Sequence, residues 1–338
     1  MKKRTIWGVC IVATLLFTAF LGAFAYSITY HKPELPTSSD NSDCVIFIDN
    51  DDTSDSVKTK SNLGWRFDFY KKVMPFRVRT GRYTAENGIT SLSLYRKFRN
   101  GTQSPTELII PSVRTVTQLA DAIGKQLMLS AEEIRAAFTD SIFCSSYSFT
   151  PETFPSLFIP NTYQVYWNTS LEALMKRMVK EHNAFWNAER MQKAKNLNLT
   201  PEQVSTLASI LDEESSNNAE KPTIAGMYIN RIRKGMLLQA DPTVKFALGD
   251  FTLRRIYYKH LEVDSPYNTY RYVGLPPGPI RIPSIAALDA VLNYKESSYL
   301  YMCAKEDFSG THNFATTLAE HMRNARKYAR ALNERGIR

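Results

Sequence analysis

The hydrophobic and polar positions of the chain change pattern after its N-terminal segment. Residues 6–26 form an uncharged and almost entirely apolar stretch, and three basic residues stand directly before it at positions 2–4. At about 1.5 Å per helical residue, such a stretch crosses a hydrocarbon layer of about 30 Å. The pattern therefore predicts a transmembrane anchor at residues 6–30, preceded by a basic cytoplasmic tail at residues 1–5.

The flanking charges indicate the orientation of this anchor. Basic residues beside a transmembrane helix stay in the cytoplasm, so we expect a single pass through the cell inner membrane, with an extracytoplasmic, periplasmic body after Tyr30. A cleaved signal peptide is the alternative, because Ala23-Phe24-Ala25 has the form of a cleavage site. The apolar core of a signal peptide usually has about 7–15 residues, and this longer stretch favours a retained anchor.

Beyond the anchor, the periodicity indicates an α+β protein in two parts. Residues 31–43 are rich in Pro, Ser and Asp, which is typical of a linker. Over residues 44–165, short strand-like runs alternate with short helical ones, as in a small α+β module. Over residues 166–338, longer amphipathic patterns predict a second domain that includes helices at 170–189 and 222–234.

Another helix of this second domain is predicted to begin at Thr200. A threonine N-cap, a proline in the first turn and Gln203 three residues after the cap form a strong helix start. The helix runs into the stretch LASILDEES, residues 207–215, which contains three consecutive carboxylates. These acidic residues are the first candidates for chemistry in the chain.

The helical phase separates the three carboxylates. At about 100° per residue, Glu214 lies about 20° from Leu207, on the apolar face. Asp212 and Glu213 lie about 140° and 120° away, so we expect both to face solvent. An apolar environment disfavours the charged form of a carboxylate and raises its pKa, which suits a proton donor. Glu214 is therefore the candidate acid, unless the helix has already ended at this position.

Three later segments have the composition of a polar binding cleft. Residues 237–244, 265–283 and 310–317 combine Gln, Asp, Thr, Asn, Tyr and His with rigid prolines. Ser215, directly after the acidic triplet, could equally form a turn or donate a hydrogen bond to a sugar. The density of polar side chains in these loops favours a binding role.

Charge and cysteine content exclude only a few classes of function. The 338 residues include 42 Lys and Arg and 33 Asp and Glu, a net charge of +9, which permits an anionic membrane, an acidic polymer or nucleic acid as a partner. No nucleic-acid-binding motif occurs, and an extracytoplasmic body rarely meets nucleic acid. Cys44, Cys144 and Cys303 follow the anchor without a metal-ligand spacing, so at most one disulfide is expected and no zinc site.

Four stretches resemble one protein family, the endolytic murein transglycosylases, also called YceG-like. They are LASILDEES, MYINRIRKGMLLQADPTV, SPYNTYRYVGLPPGPI and THNFATTLAEH, in this order, with weaker similarity in RTGRYT (79–84) and IPNTYQV (159–165). The strong similarity covers roughly residues 205–325. The resemblance implies a LysM-like α+β module at 44–165 and an α+β lytic transglycosylase domain at 166–338.

The resemblance also implies a reaction. The family's catalytic glutamate, the second acid of an ASIVEKE-type segment, falls on Glu214, whereas Asp212 and Glu213 replace the family's glutamate and lysine. The implied reaction is non-hydrolytic cleavage of the bond between N-acetylmuramic acid and N-acetylglucosamine in peptidoglycan glycan strands, giving 1,6-anhydro ends, with no metal or cofactor. The candidate substrate-binding residues are Ser215, Gln239, Asp241, Tyr267, Asn268 and Tyr270.

Two alternatives remain open from the sequence. A muramidase would use Asp241 as a second carboxylate to activate water, and a non-catalytic wall-binding scaffold would hold glycan without cutting it. We expect peptidoglycan synthases as protein partners. The mass of the product separates a hydrolase, which adds water, from a transglycosylase, which does not.

Overall fold

The computed structural model describes residues 2–35, 43–253 and 255–336, with side chains from residue 6 onward. Residues 36–42 of the predicted linker and the side chains of the predicted basic tail lie outside the described residues. The structure contains both helices and strands, which confirms the α+β class. The contacts divide the chain into two compact units, Met1–Leu108 with Gln164–Thr169, and Ile109–Tyr163 with Ser170–Arg338.

The first unit begins with the long helix α1 (Lys2–Tyr30). Its segment Ile6–Tyr30 has a mean hydropathy of 2.2 and is long and apolar enough, by length and composition, to cross a membrane. A strand–helix–helix–strand arrangement follows, in which two antiparallel strands pair from Cys44 opposite Ala85 to Ile48 opposite Gly81. The LysM-like nature of this module stays a prediction. The elements after α1 are β1 (Cys44–Ile48), α2 (Ser54–Lys60), α3 (Trp65–Val73), β2 (Gly81–Ala85), α4 (Ser91–Asn100) and β3 (Thr106–Ile110).

The second unit is mainly helical and has one extended apolar core. Helix α10 contributes Val204, Leu207 and Leu211 to this core, where they pack with side chains of α11 and α14. Strand β5 pairs antiparallel with β6. The elements are α5 (Val116–Gly124), α6 (Ala131–Thr139), α7 (Ser141–Ser146), a 3-10 turn (Phe154–Leu157), β4 (Asn161–Val165), α8 (Leu171–Phe185), α9 (Ala188–Asn196), α10 (Pro201–Glu214), α11 (Lys221–Arg233), α12 (Asp241–Leu248), α13 (Tyr258–Leu261), α14 (Ile285–Leu292), β5 (Tyr301–Ala304), β6 (His312–Ala315) and α15 (Leu318–Glu334).

The predicted boundary at residues 165 and 166 differs from the division that the contacts make. The segment 109–163, predicted to belong to the N-terminal module, packs within the second unit. Ile159 lies in the core of that unit, and the N–H of Ile282 donates to the carbonyl of Val113 at 2.8 Å. Burial of this segment against α10 could not be read from its short, mixed periodicity.

The predicted helix at 170–189 is two helices. Helix α8 ends at Phe185, and the side chain of Asn187 accepts the N–H of Arg190 at 3.0 Å, so it caps the start of α9. An asparagine side chain competes with the helical backbone for such a hydrogen bond. The helix predicted at 222–234 is α11, which is shifted by one residue.

The predicted start of α10 is confirmed. The hydroxyl oxygen of Thr200 accepts the N–H of Gln203 at 3.3 Å, and the Gln203 side chain accepts the N–H of Thr200 at 2.9 Å. This reciprocal cap satisfies two backbone donors that the first turn would leave free. Residues 204–211 are all buried, so α10 is a core helix that carries its C-terminal carboxylates into the protein.

Two glycines allow close backbone approach around this core. A Cβ on Gly226 of α11 would lie 2.2 Å from the carbonyl oxygen of Lys295, and a Cβ on Gly278 would lie 2.0 Å from that of Glu152. No real Cβ tolerates these distances, so neither position accepts a side chain without moving the backbone. Gly278 belongs to the loop GLPPGPI, which is thereby held against the segment around Glu152.

Asp212 does not face solvent, and the expectation from helical phase is wrong for this residue. Its carboxylate receives Lys221 Nζ at 2.6 Å and both the backbone N–H and the hydroxyl of Ser284, at 2.6 and 2.9 Å. The side chains of Asp212 and Lys221 are only 6% and 5% exposed. The buried pair therefore links the end of α10 to the start of α11 and to the N-cap of α14.

Glu213 is also paired rather than solvated, which corrects the second expectation. Arg114 donates to both of its carboxylate oxygens, at 2.8 and 2.9 Å, and Arg281 Nη1 donates at 2.9 Å. Its side chain is 12% exposed. A periodic pattern assigns a polar residue to solvent by default, and it carries no information on distant arginines that supply a protein partner.

We predict that Asp212→Asn lowers the free energy of unfolding by about 3–5 kcal/mol, because it leaves the buried Lys221 ammonium without its counter-ion. Asp289→Asn is the control, since it breaks the more exposed pair with Arg190 and should cost no more than about 1 kcal/mol. Urea unfolding of the full chain in detergent measures both. Equal losses in the two variants would show that the burial of the Asp212–Lys221 pair has no energetic importance.

Candidate active site

Glu214 is the last residue of α10, and its carboxyl group is surrounded by protein except towards a cavity. The phenol of Tyr228, on α11, donates to Glu214 Oε1 at 2.8 Å. In the described part of the chain, no group donates to the other oxygen, Oε2. This oxygen is accessible, because it is not one of the buried polar atoms that lack a hydrogen-bond partner. One oxygen is thus held by the protein, and the other is free to meet a bound molecule.

Burial raises the pKa of Glu214 to about 7. The hydrogen bond from Tyr228 and the positive charge of Lys245 act in the opposite direction, whereas the negative charges of Asp241 and Glu213 raise the pKa further. Burial also raises the pKa of Tyr228 well above its ordinary value, so its hydroxyl keeps its proton and remains a donor. Glu214 therefore exchanges a proton close to neutral pH, as a general acid or base must.

The cavity in front of Glu214 has a volume of about 430 Å³, which is in the range of small-ligand sites. Residues of α10, α11, α12, α15, the two strands β5 and β6, and two loops line it. The polar lining residues are Glu214, Tyr228, Arg231, Gln239, Asp241, Tyr270, His312 and His321, and the others are Met227, Leu238, Met302, Cys303 and Ala304.

Asp241 and Tyr270 form a second polar pair in this cavity. The phenol of Tyr270 donates to Asp241 Oδ1 at 2.5 Å. Burial, followed by the neighbouring Asp241 carboxylate, raises the pKa of Tyr270, which therefore stays protonated. The structure thus brings two predicted residues into the same cavity as Glu214, with the negative charge of Asp241 near enough to raise the pKa of Glu214.

Gln239 also lines the cavity, in a backbone conformation that its neighbours impose. Its φ of 53° is left-handed, which is uncommon for a residue with a side chain. Its N–H donates to the carbonyl of Thr269 at 3.1 Å, and its side-chain oxygen accepts Arg231 Nη1 at 3.2 Å. These contacts fix the position of the Gln239 side chain before any ligand binds.

The other three predicted binding residues do not line the cavity. Asn268 is fully buried and holds its own loop by donating to the carbonyls of Leu261 and Val263, both at 2.8 Å. Tyr267 packs on Phe246, with ring centroids 4.7 Å apart, and burial raises its pKa to about 12. A loop asparagine and a loop tyrosine are as useful for building a loop as for binding a sugar, and sequence alone did not separate the two roles.

Ser215, the last of these three residues, caps the end of α10. It is buried, and its hydroxyl oxygen accepts the N–H of Asn217 at 3.1 Å. Its hydroxyl also lies 3.5 Å from Glu220 Oε2, to which it donates. Ser215 therefore shapes the turn that follows Glu214.

Sequence reasoning missed Tyr228, Arg231 and His312. Arg231 is buried and donates to the carbonyls of Leu238 and Leu300, at 2.8 and 2.6 Å, so it ties a cavity loop to the chain before β5. Tyr228 and Arg231 lie among apolar residues at helical spacing on α11. A polar side chain on an apolar face, the signal that selected Glu214, would have found both.

Within residues 2–35, 43–253 and 255–336, no group of three or more His, Cys, Asp or Glu side chains is placed to hold a metal ion. The four cysteines, all within these ranges, are free thiols. The polar groups in the cavity can exchange a proton, donate hydrogen bonds and present negative charge.

Comparison with known proteins agrees with the motifs. The profile of the YceG-like family matches residues 52–327. The endolytic murein transglycosylase of Bacillus subtilis (strain 168) is 31% identical over 282 residues, which cover 79% of this chain and 77% of that protein. That of Streptococcus pneumoniae serotype 2 (strain D39) is 27% identical over 300 residues, 78% of this chain, but the chain spans only about half of it, 53%.

A solved structure extends the similarity to the fold. The crystal structure of a YceG-like protein from Listeria monocytogenes superposes with a TM-score of 0.58 at 27% sequence identity. The match covers 83% of this chain and 98% of that one. Since the family profile spans most of the chain, with both the motifs and the fold in agreement, this protein belongs to the YceG-like family.

Proposed function

We propose that the chain is a lytic transglycosylase that cuts peptidoglycan glycan strands internally, at the β-1,4 bond from N-acetylmuramic acid to N-acetylglucosamine, and leaves 1,6-anhydro ends. One observation carries the proposal: Glu214, with a pKa of about 7, lies at a polar cavity with one carboxyl oxygen free. The names of the B. subtilis and S. pneumoniae relatives support the substrate class.

A single carboxyl group suffices for this reaction because the sugar supplies its own nucleophile. Protonated Glu214 donates its proton to the glycosidic oxygen, and the bond from that oxygen to C1 of the muramic acid breaks. The C6 hydroxyl of the same sugar attacks C1, and the Glu214 carboxylate takes the hydroxyl proton. The proton balance closes, and no water enters the product.

The neighbours of Glu214 have defined parts in this scheme. Tyr228 holds Oε1, so Oε2 carries the transferable proton. The transition state of glycosidic cleavage has positive charge on the ring, and a fixed negative group close by stabilises it. Asp241 is suited to this task, with Tyr270 fixing its orientation.

A hydrolase is the second candidate, and the position of Asp241 is the observation that favours it. Asp241 lies in the same cavity as Glu214, as the second carboxylate of a muramidase would. It would then activate a water molecule, and every new end would be a reducing sugar. The products of the wild-type protein distinguish the two reactions.

We propose further that α1 is a single-pass anchor in the cell inner membrane, with the catalytic unit on the periplasmic side. The apolar segment Ile6–Tyr30 supports the anchor, and the basic residues at positions 2–4 support the orientation. An enzyme held there would trim or terminate nascent glycan strands close to the peptidoglycan synthases that make them. The net charge of +9 suits an anionic wall polymer.

We predict that Glu214→Gln lowers the cleavage rate by about 10²–10⁴-fold, because the amide keeps the shape and the Tyr228 contact but has no proton to transfer. The measurement is the release of anhydro-ended fragments from purified sacculi, by liquid chromatography and mass spectrometry. Glu189→Gln is the control: it makes the same change at an exposed side chain outside the cavity and should cut at nearly the wild-type rate. Wild-type activity in Glu214→Gln would remove Glu214 from the mechanism.

We predict that Asp241→Asn slows cleavage but leaves every new end in the anhydro form. It should also change the pH profile. The reaction starts from protonated Glu214, so the wild-type kcat/KM falls as the pH rises above about 7. Loss of the Asp241 charge lowers the pKa of Glu214, and the fall should begin at lower pH.

Fragment masses and the pH dependence of kcat/KM, both for wild type and for Asp241→Asn, test this second prediction. Reducing ends from the wild-type protein would establish the hydrolase instead. Identical pH profiles in the two proteins would show that the charge of Asp241 does not affect the pKa of Glu214.

We predict that the mature protein keeps residues 2–4 and sediments with membranes, because the apolar segment is longer than the core of a signal peptide. Intact-mass analysis of the membrane fraction measures the N-terminus. Alkaline carbonate washing is the control for loose association, and an anchored protein resists it. A new N-terminus after Ala25 in a soluble fraction would contradict the anchor.

A further inference from the structure

A second pair of acid–base side chains lies beside the cavity of Glu214. His312 begins β6 and lines the cavity, and Glu220 directly precedes α11. Glu220 Oε1 accepts the backbone N–H of His312 at 2.7 Å, and Glu220 Oε2 lies 2.8 Å from His312 Nδ1. With side chains 14% and 10% exposed, the pair is largely shielded from solvent.

The carboxylate determines which imidazole nitrogen carries the proton. An ionised carboxylate has no hydrogen to donate, so the hydrogen between Glu220 and His312 belongs to Nδ1. In the neutral imidazole, Nε2 then has a free lone pair. Since both Glu220 oxygens are engaged, the ring is also fixed in orientation, as in the carboxylate–histidine pairs that orient functional imidazoles.

The Nε2 atom of His312 is available to a ligand. Within residues 43–253 and 255–336, no protein group forms a hydrogen bond with Nε2. This nitrogen is accessible, because it is not one of the buried polar atoms that lack a partner. His182 Nε2 and His321 Nδ1 are such buried atoms. His312 thus differs from both, because its remaining nitrogen is accessible and its ring lines the cavity that contains Glu214.

We propose that His312 Nε2 accepts a hydrogen bond from a sugar hydroxyl of the glycan bound at Glu214, and that Glu220 is the positioning residue that keeps this nitrogen an acceptor. This inference rests on the proposed function. Among the cavity side chains, Tyr228, Tyr270 and Arg231 present N–H or O–H donors, already used within the protein. With Nδ1 held by Glu220, the imidazole presents Nε2 to the hydroxyl-rich substrate.

The turn after Glu214 connects this pair to the catalytic residue. Glu220 Oε2, the oxygen that faces Nδ1, also receives the Ser215 hydroxyl at 3.5 Å. Ser215 is the residue after Glu214 and ends α10. A change at Glu220 therefore alters the state of His312 and also reaches the residue next to the proton donor.

Two substitutions test the acceptor atom, His312 Nε2, and the residue that positions it, Glu220. In His312→Asn the side-chain amide takes roughly the place of Nδ1 and still donates to Glu220, but Nε2 is gone. In Glu220→Gln the backbone N–H of His312 keeps the amide oxygen in place, so the NH₂ group faces Nδ1 and the ring proton moves to Nε2. Both variants remove the acceptor, but only His312→Asn leaves the contact between Glu220 and the Ser215 hydroxyl in place, because Glu220→Gln removes the oxygen that receives this hydroxyl.

The first measurement is the release of anhydro-ended fragments from sacculi by the full chain in detergent. We expect His312→Asn and Glu220→Gln each to lower kcat/KM by about 10–100-fold without a change of product or unfolding temperature. The double variant should lose no more than either single one. His260→Asn is the control, since His260 lies outside the cavity and its Nδ1 accepts a backbone N–H.

The second measurement does not require cleavage. In the Glu214→Gln background, His312→Asn should weaken binding to purified sacculi by about tenfold in a sedimentation assay. Wild-type kcat/KM and unchanged binding in His312→Asn would overturn the inference, as would an activity loss that only follows a lower unfolding temperature. If the wild-type protein gives no anhydro ends, the proposed function fails, and the binding assay still decides the role of His312.

Discussion

The buried ion pair between Asp212 and Lys221 determines the geometry on which the rest of the second unit depends. It joins the last turn of α10 to the first turn of α11, and Ser284 adds the N-cap of α14 to the same carboxylate. Two buried charges are costly to desolvate, and their attraction offsets this cost only at a separation at which hydrogen bonds satisfy both groups. The distance between the two side chains is therefore well defined. Because α10 carries Glu214 and α11 carries Tyr228, this pair also sets how the two side chains meet.

Three consecutive acids at one helix end thus have three different functions. Asp212 binds a neighbouring helix, Glu213 binds two arginines, and Glu214 lies at the cavity with a raised pKa. The partners account for the difference: Asp212 and Glu213 each have a cation within hydrogen-bonding distance, and Glu214 has a neutral phenol. A carboxyl group without a cation is the one whose proton remains available.

Helical phase was enough to select Glu214, because the apolar stripe of α10 is long and begins at a strong cap. The same phase gave the wrong environment for Asp212 and Glu213. Asp212 pairs with a lysine of α11, and Glu213 pairs with two arginines that are about a hundred and seventy residues apart in the sequence. Such partners cannot be inferred from periodicity. Asn268 shows a further limit, since a loop amide that satisfies its own backbone has the same composition as one that binds a sugar. His312 was overlooked because its importance depends on Glu220, which is distant in sequence.

The cavity is built from parts of the chain that are far apart in order of synthesis. Its first member, Glu214, precedes its last, His321, by more than a hundred positions, and β5 and β6 supply one wall. Contacts of such long sequence separation form late in folding. A polypeptide emerging from the ribosome or crossing a membrane would hold a complete α10 and no enclosed site, so the ability to cut glycan arises only when nearly all of the chain has arrived.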